Sequence, residues 1–340
     1  MASQPASQVT PQRAMQTVWS MIHPLALDAA IQNHVFDVLD SGPKSLDEVS
    51  RATGASARGL AAIMNLLVGL QFLTRTSDGR YALTPESSAF LVSTKPAYHG
   101  GFVHHLVSLT SDFLPLAEIV RTGKPIAGHD LNAAAAEFFE QLVGNIMPVA
   151  YPGARAAAEA LGVSRATEPV SVLDIGAGSG VWGIAMAQAS PHVRVTAVDL
   201  PGVLSATRKI ARQFGVGDRF HYIGKDIFCD ELGSGFSIAT LGHIMHMASP
   251  DQNRFLLNNI FRALAPGGTL VIGEFIVNED RTGPVEPLAF AVNMLVHTQQ
   301  GDAYTLGEIR SWLAAAGFAN IRTLAAPAPS PLILADKPAK

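Results

Sequence analysis

The sequence contains almost no cysteine, little charge and no apolar run long enough for a membrane helix. Its single cysteine, Cys229, has no partner for an internal disulfide, which is typical of a reducing compartment and predicts a cytoplasmic protein. The first residues lack the basic, apolar and small-residue pattern of a secretion signal. No window reaches the roughly 18 apolar residues that a spanning helix needs, so we expect no membrane association.

An excess of either charge is also missing. The chain carries 24 Lys and Arg against 28 Asp and Glu, a formal net charge of −4. This balance argues against a dedicated nucleic-acid binder, which would concentrate basic residues on one face. Hydrophobic residues make up 48% of the 340 residues, enough to bury large cores and to exclude disorder for most of the chain. The length favours two domains.

Three helices or helical segments are predicted near the start of the chain. Apolar residues recur at helical spacing over residues 12–39, with a break expected at Pro24. Ser45 and Glu48 form a capping box that opens a second helix, and Ser56 caps a third.

A β-hairpin is predicted after these helices, because segments 72–76 and 80–83 are extended and joined by a Ser-Asp-Gly turn. Helices followed by such a hairpin are typical of a winged helix-turn-helix. The helix that would read DNA has one basic residue, Arg58, whereas reading a groove needs several hydrogen-bond donors. We therefore expect this region to serve packing and dimerisation, and not nucleic-acid binding.

The second half of the chain alternates short β-branched runs with helical segments. The predicted strands are residues 170–175, 193–198, 220–223, 236–241 and 269–277, and the predicted helices are residues 181–188, 201–214 and 251–264. This alternation predicts an α/β domain with a doubly wound parallel sheet. The polar stretch before it places a domain boundary at 165/166, giving domains over 12–165 and 166–340.

Three acidic residues end three successive strands of this predicted sheet: Asp174, Asp199 and Asp226. The first belongs to the run Asp174-Ile-Gly-Ala-Gly-Ser-Gly180, whose glycines allow a ligand to approach the backbone at the carboxyl end of the sheet. An acid in the place of Asp199 suits the two hydroxyls of an adenosine ribose. Asp226 would accept from an adenine amino group.

The charge of these residues separates two candidate ligands. The glycines also match the dinucleotide-binding pattern, but a pyrophosphate would be repelled by the Asp174 carboxylate. S-adenosylmethionine has no phosphate and carries an ammonium and a sulfonium, both of which a nearby carboxylate favours. The sequence therefore favours S-adenosylmethionine.

With these motifs the chain resembles the small-molecule O-methyltransferases that have an N-terminal winged-helix dimerisation domain. The resemblance extends over residues 12–337, and its most specific segments are 172–180, 198–203, 224–228, 243–246, 265–268 and 301–305. It implies a Rossmann-like class I methyltransferase domain with sheet order 3-2-1-4-5-7-6 and an antiparallel last strand. It also implies a homodimer formed through the N-terminal domain, a small-molecule acceptor, and S-adenosylhomocysteine as the product.

The cofactor-binding residues are expected at the strand ends and the glycine turn. They are Asp174, Gly176, Gly178, Asp199, Leu200, Asp226 and Ile227, of which the resemblance supplies Gly176, Asp199, Asp226 and Ile227. One position departs from the family: many plant members have a cofactor-contacting lysine where this chain has Gly242.

The resemblance assigns the general base to His246, which follows the fourth predicted strand. A hydroxyl is a poor nucleophile until its proton is removed, and an imidazole suits that task near neutral pH. The acids that orient this histidine in the family are incomplete here. Glu274 matches one of them, Met247 replaces another, and the third falls on Ala303. Beside it lies Asp302, a candidate substitute.

This incomplete set leaves other reactions open. A thiolate or thioether acceptor needs no general base, so an S-methyltransferase acting on a thiol or thioether is an alternative, as is methylation at carbon. A regulator that senses adenosyl ligands through a winged helix is the non-enzyme alternative.

The acceptor wall is expected on two helices. Phe139, Val143 and Met147 stand four residues apart, a spacing that is also typical of plain core and that the resemblance makes a substrate wall. The other expected contacts are Tyr151, His243, Met294, His297 and Thr298. We predict no metal, because His104, His105 and His129 have no metal-ligand spacing with a second acid or a cysteine cluster.

Overall fold

The computed structural model describes residues 9–125 and 135–339, with the side chains of residues 135–144 excepted. The chain divides into two compact units, Met1–Thr110 and Ser111–Lys340. Among the described residues, every helix is too short or too polar to cross a membrane.

The first unit is mostly helical with one small antiparallel hairpin. Its helices are α1 (Gln12–Trp19), α2 (Ile22–Gln32), α3 (Val35–Leu39), α4 (Leu46–Thr53), α5 (Ala57–Gly69), α6 (Pro85–Phe90) and α7 (Gly100–Ser108), and its strands are β1 (Leu73–Arg75) and β2 (Tyr81–Leu83). Buried apolar residues of α2 to α5 and of the hairpin form one hydrophobic core.

Local signals in this unit are realised as predicted, with one exception. The Ser45 hydroxyl accepts from the Glu48 amide at 3.3 Å, and the Glu48 carboxylate accepts from the Ser45 amide at 2.7 Å. The Ser56 hydroxyl caps α5 by accepting from the Gly59 amide. The break expected at Pro24 is wrong, because the chain turns before it, between α1 and α2. Pro24 lies in the first turn of α2, where a missing N–H removes no helical hydrogen bond.

The second unit contains a large sheet covered by helices. Its helices are α8 (Leu116–Thr122), α9 (Ala135–Ala160), α10 (Val181–Ala189), α11 (Pro201–Gln213), α12 (Pro250–Ala263), α13 (Val285–His297) and α14 (Leu306–Ala316). Its strands are β3 (Val170–Ile175), β4 (Val193–Asp199), β5 (Phe220–Gly224), β6 (Phe236–Gly242), β7 (Leu264–Gly273), β8 (Ile276–Val277), β9 (Tyr304–Thr305), β10 (Ala319–Leu324) and β11 (Leu332–Asp336).

The sheet has seven strands in the order β5-β4-β3-β6-β7-β11-β10. Strands β3 to β7 run parallel, whereas β11 pairs antiparallel with both β7 and β10. When only the seven strands of this sheet are numbered along the chain, the order is 3-2-1-4-5-7-6, so the predicted topology is confirmed. One hydrophobic core joins the sheet to α9, α10 and α11, and a second joins its other face to α12 and α14.

One strand boundary differs from the sequence prediction. The strand predicted over residues 269–277 is two strands, since β7 ends at Gly273 and β8 pairs with β9 outside the main sheet. Glu274 and Phe275 lie in the break between them. The second compact unit begins at Ser111, and α9 packs within it on α10 and α11. The functional division into 12–165 and 166–340 remains a prediction.

Candidate active site

The three acids lie at the carboxyl edge of the sheet, on neighbouring strands. Asp174 is the fifth residue of β3, and β3 pairs in parallel with β4, which ends at Asp199. Asp199 in turn pairs with Gly224, the last residue of β5, so Asp226 follows two residues beyond. Because parallel strands end at the same edge, the fold brings this set together as predicted from the sequence.

Asp174 is fully buried, and its carboxylate is held from two sides. One oxygen accepts from the Thr240 hydroxyl at 2.7 Å, and the other accepts from the Gly183 amide at 3.0 Å. Burial raises the pKa of Asp174 to about 7, against the opposing effect of these hydrogen bonds, and the charge of Asp199 raises it further. A cation bound at this edge would favour the ionised carboxylate.

The glycine turn after β3 is fixed by Asp199. Its two carboxylate oxygens accept from the Gly178 amide at 2.8 Å and from the Leu200 amide at 2.7 Å. Burial raises the pKa of Asp199, although both of these bonds oppose the change. Each oxygen retains a further lone pair, which suits the two hydroxyls of a ribose.

Gly176, in the turn after β3, packs closely against the side chain of Ile244. Its φ is +61°, in the left-handed region, and a Cβ there would clash with the Ile244 side chain. The Ile227 side chain lies 3.6 Å from the same point and is buried. Asp226, next to it, is exposed, and its carboxylate accepts from the Phe228 amide at 2.9 Å. A side chain larger than glycine is therefore excluded at Gly176.

His246 lies in the short turn after β6 and is paired with Glu274. The Nδ1 atom of His246 is 2.8 Å from Glu274 Oε1, and its backbone N–H donates to Oε2 at 3.2 Å. Both side chains are buried. Glu274 reaches this position because β7 ends one residue before it, at the same carboxyl edge of the sheet.

The hydrogen bond between His246 and Glu274 sets the tautomer of a neutral imidazole. Burial acts to raise the pKa of Glu274, but the positive charge and hydrogen bond of His246 hold it below its usual value. An ionised carboxylate only accepts, so Nδ1 carries the proton that joins the two residues. The lone pair of a neutral ring then lies on Nε2, to which no described residue donates. This arrangement provides a proton acceptor that faces away from the carboxylate.

Two aromatic residues that the sequence reasoning missed lie beside His246. Phe290 meets its ring edge-on at a centroid distance of 4.7 Å, and Phe275 stacks on Phe290 at 3.9 Å. Phe290 precedes Met294 and Thr298 by four and eight residues on α13, so helical spacing would have included it in the expected wall. Phe275 carried no such signal beyond its position next to Glu274.

The carboxylate of Asp302 does not join the His246–Glu274 pair. It accepts from Arg281 at 3.2 Å, and the contact to His246 is made by the backbone N–H of Asp302, which donates to the His246 carbonyl at 3.0 Å. The expectation that the Asp302 carboxylate orients the imidazole is therefore corrected. Arg281 forms an ion pair with the Asp302 carboxylate and a second ion pair with Glu308.

The residues of α13 have structural partners of their own. The Thr298 hydroxyl donates to the Met294 carbonyl at 2.7 Å and accepts from the Gly301 amide at 2.8 Å, so it ends the helix and fixes the following loop. The His297 ring lies 3.0 Å from the Asn293 carbonyl and 3.2 Å from an Asp112 oxygen. Met294 is buried.

The expected residues of α9 divide into three cases. Met147 is buried in the core shared with α10. The Tyr151 hydroxyl donates to Gln188, in the last turn of α10, at 2.5 Å. This turn lies roughly 10 Å along α10 from its start at the glycine turn, so Tyr151 is not among the residues that the structure brings together. The side chains of Phe139 and Val143 lie outside the described residues.

Gly242, where many plant relatives have a lysine, lies under the indole of Trp182. A Cβ on Gly242 would clash with that ring, and a Cβ on Gly273 would lie 2.6 Å from it. Trp182 is 4% exposed and belongs to the core of α10 and the sheet. The space at Gly242 is thus occupied by an aromatic residue of α10.

A third side chain approaches the His246–Glu274 pair. His243 Nδ1 lies 4.0 Å from Glu274 Oε1, and burial lowers the pKa of His243, although the charge of Glu274 opposes this. Among the described residues, His243, His246 and Glu274 offer donor atoms that all lie within 4.8 Å of one another. The sequence predicted no metal, since these ligands come from two segments about thirty residues apart.

The sheet order, the glycine turn and the acids at the ends of β3, β4 and β5 define a class I methyltransferase that uses S-adenosylmethionine. Comparison with known families agrees. Residues 156–319 match the O-methyltransferase domain, and residues 15–93 match the O-methyltransferase dimerisation domain. The chain belongs to this O-methyltransferase family.

Characterised relatives cover nearly the whole chain. The 3-hydroxy-5-methyl-1-naphthoate 3-O-methyltransferase of Streptomyces sahachiroi is 31% identical over 306 residues, 88% of this chain and 86% of that protein. The tetracenomycin polyketide synthesis 8-O-methyl transferase TcmO of Streptomyces glaucescens is 29% identical, covering 92% and 93% of the two chains.

Solved structures share the fold. A Nostoc punctiforme protein assigned to the O-methyltransferases has a TM-score of 0.88 at 30% identity, covering 97% of this chain and 100% of its own. The structure of PigF with S-adenosylhomocysteine has a TM-score of 0.78 at 26% identity, with the same coverage. The protein is thus an S-adenosylmethionine-dependent methyltransferase with a small-molecule hydroxyl acceptor, and these relatives give no support to S-methylation.

Proposed function

We propose that this enzyme methylates a phenolic hydroxyl of a small fused-ring aromatic compound, with His246 as the general base. The observation that carries this proposal is the buried pair of His246 Nδ1 and Glu274 Oε1 at 2.8 Å. A hydroxyl acceptor requires a base, and this pair supplies a neutral imidazole whose free lone pair is held in one direction.

The chemistry divides between the cofactor and the chain. S-adenosylmethionine supplies an electrophilic methyl group when it is bound, and Asp174, Asp199 and Asp226, with the glycine turn, would hold it. The acceptor hydroxyl would lose its proton to His246 Nε2 as its oxygen bonds to the methyl carbon. The bond from that carbon to sulfur would break, with S-adenosylhomocysteine as the leaving group. The negative charge of Glu274 then stabilises the imidazolium.

The nature of the acceptor is supported by the residues around the base. Phe275 and Phe290 form a stacked pair beside His246, which suits a flat aromatic ring. The names of two relatives specify a naphthoate and a polyketide as substrates. We assign the acceptor wall to Met147, His243 and Met294, with Phe139, Val143 and Thr298 as further candidates.

We propose that the first unit has a winged-helix fold and that two copies of the chain form a homodimer through it. The match of residues 15–93 to the O-methyltransferase dimerisation domain supports this, as does the exposure of apolar side chains on its first helices. Met15, Val18, Trp19 and Met21 are between 51% and 66% exposed in the isolated chain. Burying such residues is the main driving force of obligate association. The single cysteine supports a cytoplasmic location.

An acceptor screen with methyl-labelled S-adenosylmethionine tests the proposed reaction. Hydroxynaphthoates, simple phenols, thiophenols and thioethers are supplied in parallel to the full chain. We expect label to appear in O-methyl ethers of the fused-ring phenols, and transfer to each of them to depend on His246. Transfer to sulfur acceptors alone would contradict the proposal.

A further inference from the structure

His243, His246 and Glu274 bring two imidazoles and one carboxylate to one place. Glu274 Oε1 lies 2.8 Å from His246 Nδ1 and 4.0 Å from His243 Nδ1, and the three donor atoms lie within 4.8 Å of one another. His246 and Glu274 are buried, and the His243 side chain is 16% exposed. The group is therefore a compact, largely dry set of nitrogen and oxygen donors.

The proposed methyl transfer gives two of these residues a part in proton transfer, whereas the third, His243, is placed only in the acceptor wall. His243 Nδ1 is buried without a hydrogen-bond partner, although it points toward Glu274. Its φ of +58° is in the left-handed region, which is uncommon for residues other than glycine. The backbone holds this conformation, because the His243 N–H donates to the Gly273 carbonyl on β7 at 2.7 Å. An unpaired buried nitrogen is unfavourable unless something binds it.

We propose that His243, His246 and Glu274 form a binding site for a divalent transition metal ion such as Zn²⁺. Two histidines and one carboxylate are a ligand set of zinc sites that keep a position open for water or substrate. Metal–ligand bonds of about 2.0–2.2 Å place neighbouring donors roughly 3–3.5 Å apart. The distances from Glu274 Oε1 to His246 Nδ1 and to His243 Nδ1, 2.8 Å and 4.0 Å, lie on either side of that range. A small rotation of the His243 ring would therefore bring all three donors to metal-binding distances. Imidazole nitrogens favour zinc, copper, nickel and iron over magnesium and calcium.

Metal binding at this site has a consequence for the base. A metal on His246 Nδ1 takes the lone pair of that atom, so the single proton of the neutral ring moves from Nδ1 to Nε2. Nε2 then has no lone pair to accept the proton of a hydroxyl. The ion would therefore inhibit methyl transfer, and a chelator would restore it. This consequence rests on the proposed role of His246, whereas the binding itself rests only on the three ligands.

Titration with Co²⁺ tests the binding, because its visible absorption reports nitrogen and oxygen ligands directly. The tag-free full chain is titrated in a non-coordinating buffer, and Zn²⁺ affinity is measured by competition with a chromogenic chelator. We expect one Co²⁺ per chain and an affinity at least tenfold lower in His243→Gln and in Glu274→Gln. His221→Gln is the control, since His221 is exposed on β5 and lies outside the site. A thermal shift with S-adenosylhomocysteine verifies that each variant is folded.

The outcomes separate the two proposals. If the parent does not bind Co²⁺, or if His243→Gln binds it as tightly as His221→Gln, the metal site is overturned. If His243→Gln does not fold but Glu274→Gln does, the metal site is also overturned when Glu274→Gln binds Co²⁺ as tightly as the parent. If the parent binds Co²⁺ through His243 and methyl transfer continues at saturating Zn²⁺, the metal site stands and the role of His246 as general base fails.

Discussion

The carboxylate of Glu274 holds His246 at two points, the imidazole Nδ1 at 2.8 Å and the backbone N–H at 3.2 Å. The ring and the turn that carries it are thus fixed by one side chain. A base held in this way has a defined tautomer and direction before any acceptor binds. This is the relationship on which the catalytic prediction depends.

Replacing His246 by alanine should lower turnover of the true hydroxyl acceptor by roughly 10²–10⁴-fold. The substitution removes the group that accepts the proton, whereas the residues expected to bind the cofactor lie on other strand ends. We therefore expect steady-state turnover to fall while the affinity for S-adenosylhomocysteine, measured by calorimetry, stays nearly unchanged. His221→Ala, an exposed change on β5, is the matched control. Retention of more than about a tenth of the parental turnover would rule out the base assignment.

S-adenosylhomocysteine should stabilise the folded protein by about 2–3 kcal/mol at a hundredfold excess over its dissociation constant. Asp199→Ala should remove most of this shift, because it deletes the proposed acceptor of the ribose hydroxyls. It also removes the bonds to Gly178 and Leu200, so the ligand-free stability must be measured separately. Asp218→Ala, a change in the turn before β5, should keep the full shift. A stabilisation by NAD without one by S-adenosylhomocysteine would contradict the cofactor assignment.

The free energy of unfolding should depend on pH through Asp174. Its pKa is raised by burial from 3.8 to about 7, so the folded state holds the proton more tightly than the unfolded chain. The resulting stabilisation is complete below about pH 4 and is lost as pH rises through about 7. A shift of this size corresponds to a change on the order of 4 kcal/mol.

Urea denaturation of the ligand-free protein at several pH values measures this effect. The parent should lose stability between pH 4.5 and 7.5 more steeply than Asp174→Asn, which has no carboxyl to titrate. The asparagine keeps a carbonyl oxygen for the Gly183 amide. Parallel pH curves for the two proteins would show that Asp174 titrates as an ordinary carboxylate.

Gly242→Ala should destabilise the protein by about 1–3 kcal/mol, because the added methyl group meets the buried indole of Trp182. Gly69→Ala is the control, since a Cβ there has no neighbour within 4 Å and α5 gains a better helix former. Adding Trp182→Phe to Gly242→Ala should recover part of the loss. Equal unfolding midpoints in urea for the two single variants would contradict the packing described here.

The parts of the fold that follow local patterns could be read from the sequence. The capping box of Ser45 and Glu48 and the glycine turn after β3 depend on residues within a few positions of one another. Strand ends follow from β-branched runs, so the meeting of Asp174 and Asp199 at one edge needed only the rule that parallel strands end together. The end of the fourth predicted strand and the family resemblance together indicated His246, and the resemblance indicated Glu274.

The parts that escaped prediction depend on the choice of a distant partner. The carboxylate and the backbone N–H of Asp302 have different partners, and only the folded chain shows that Arg281 binds the carboxylate. The end of β7 before Glu274 depends on pairing between β8 and β9, two residues each. His243 gave no signal as a metal ligand, because its partner Glu274 follows about thirty residues later.

Strand β11 lies between β7 and β10, although both of them precede it in the chain. While a ribosome makes this protein, β7 can form early with β6, but its other edge stays open until Leu332–Asp336 has emerged from the exit tunnel. An open edge of an apolar strand is a template for pairing with another nascent chain. Slow translation after β10 would prolong that exposure, and synonymous codons that hasten this stretch would raise the soluble yield.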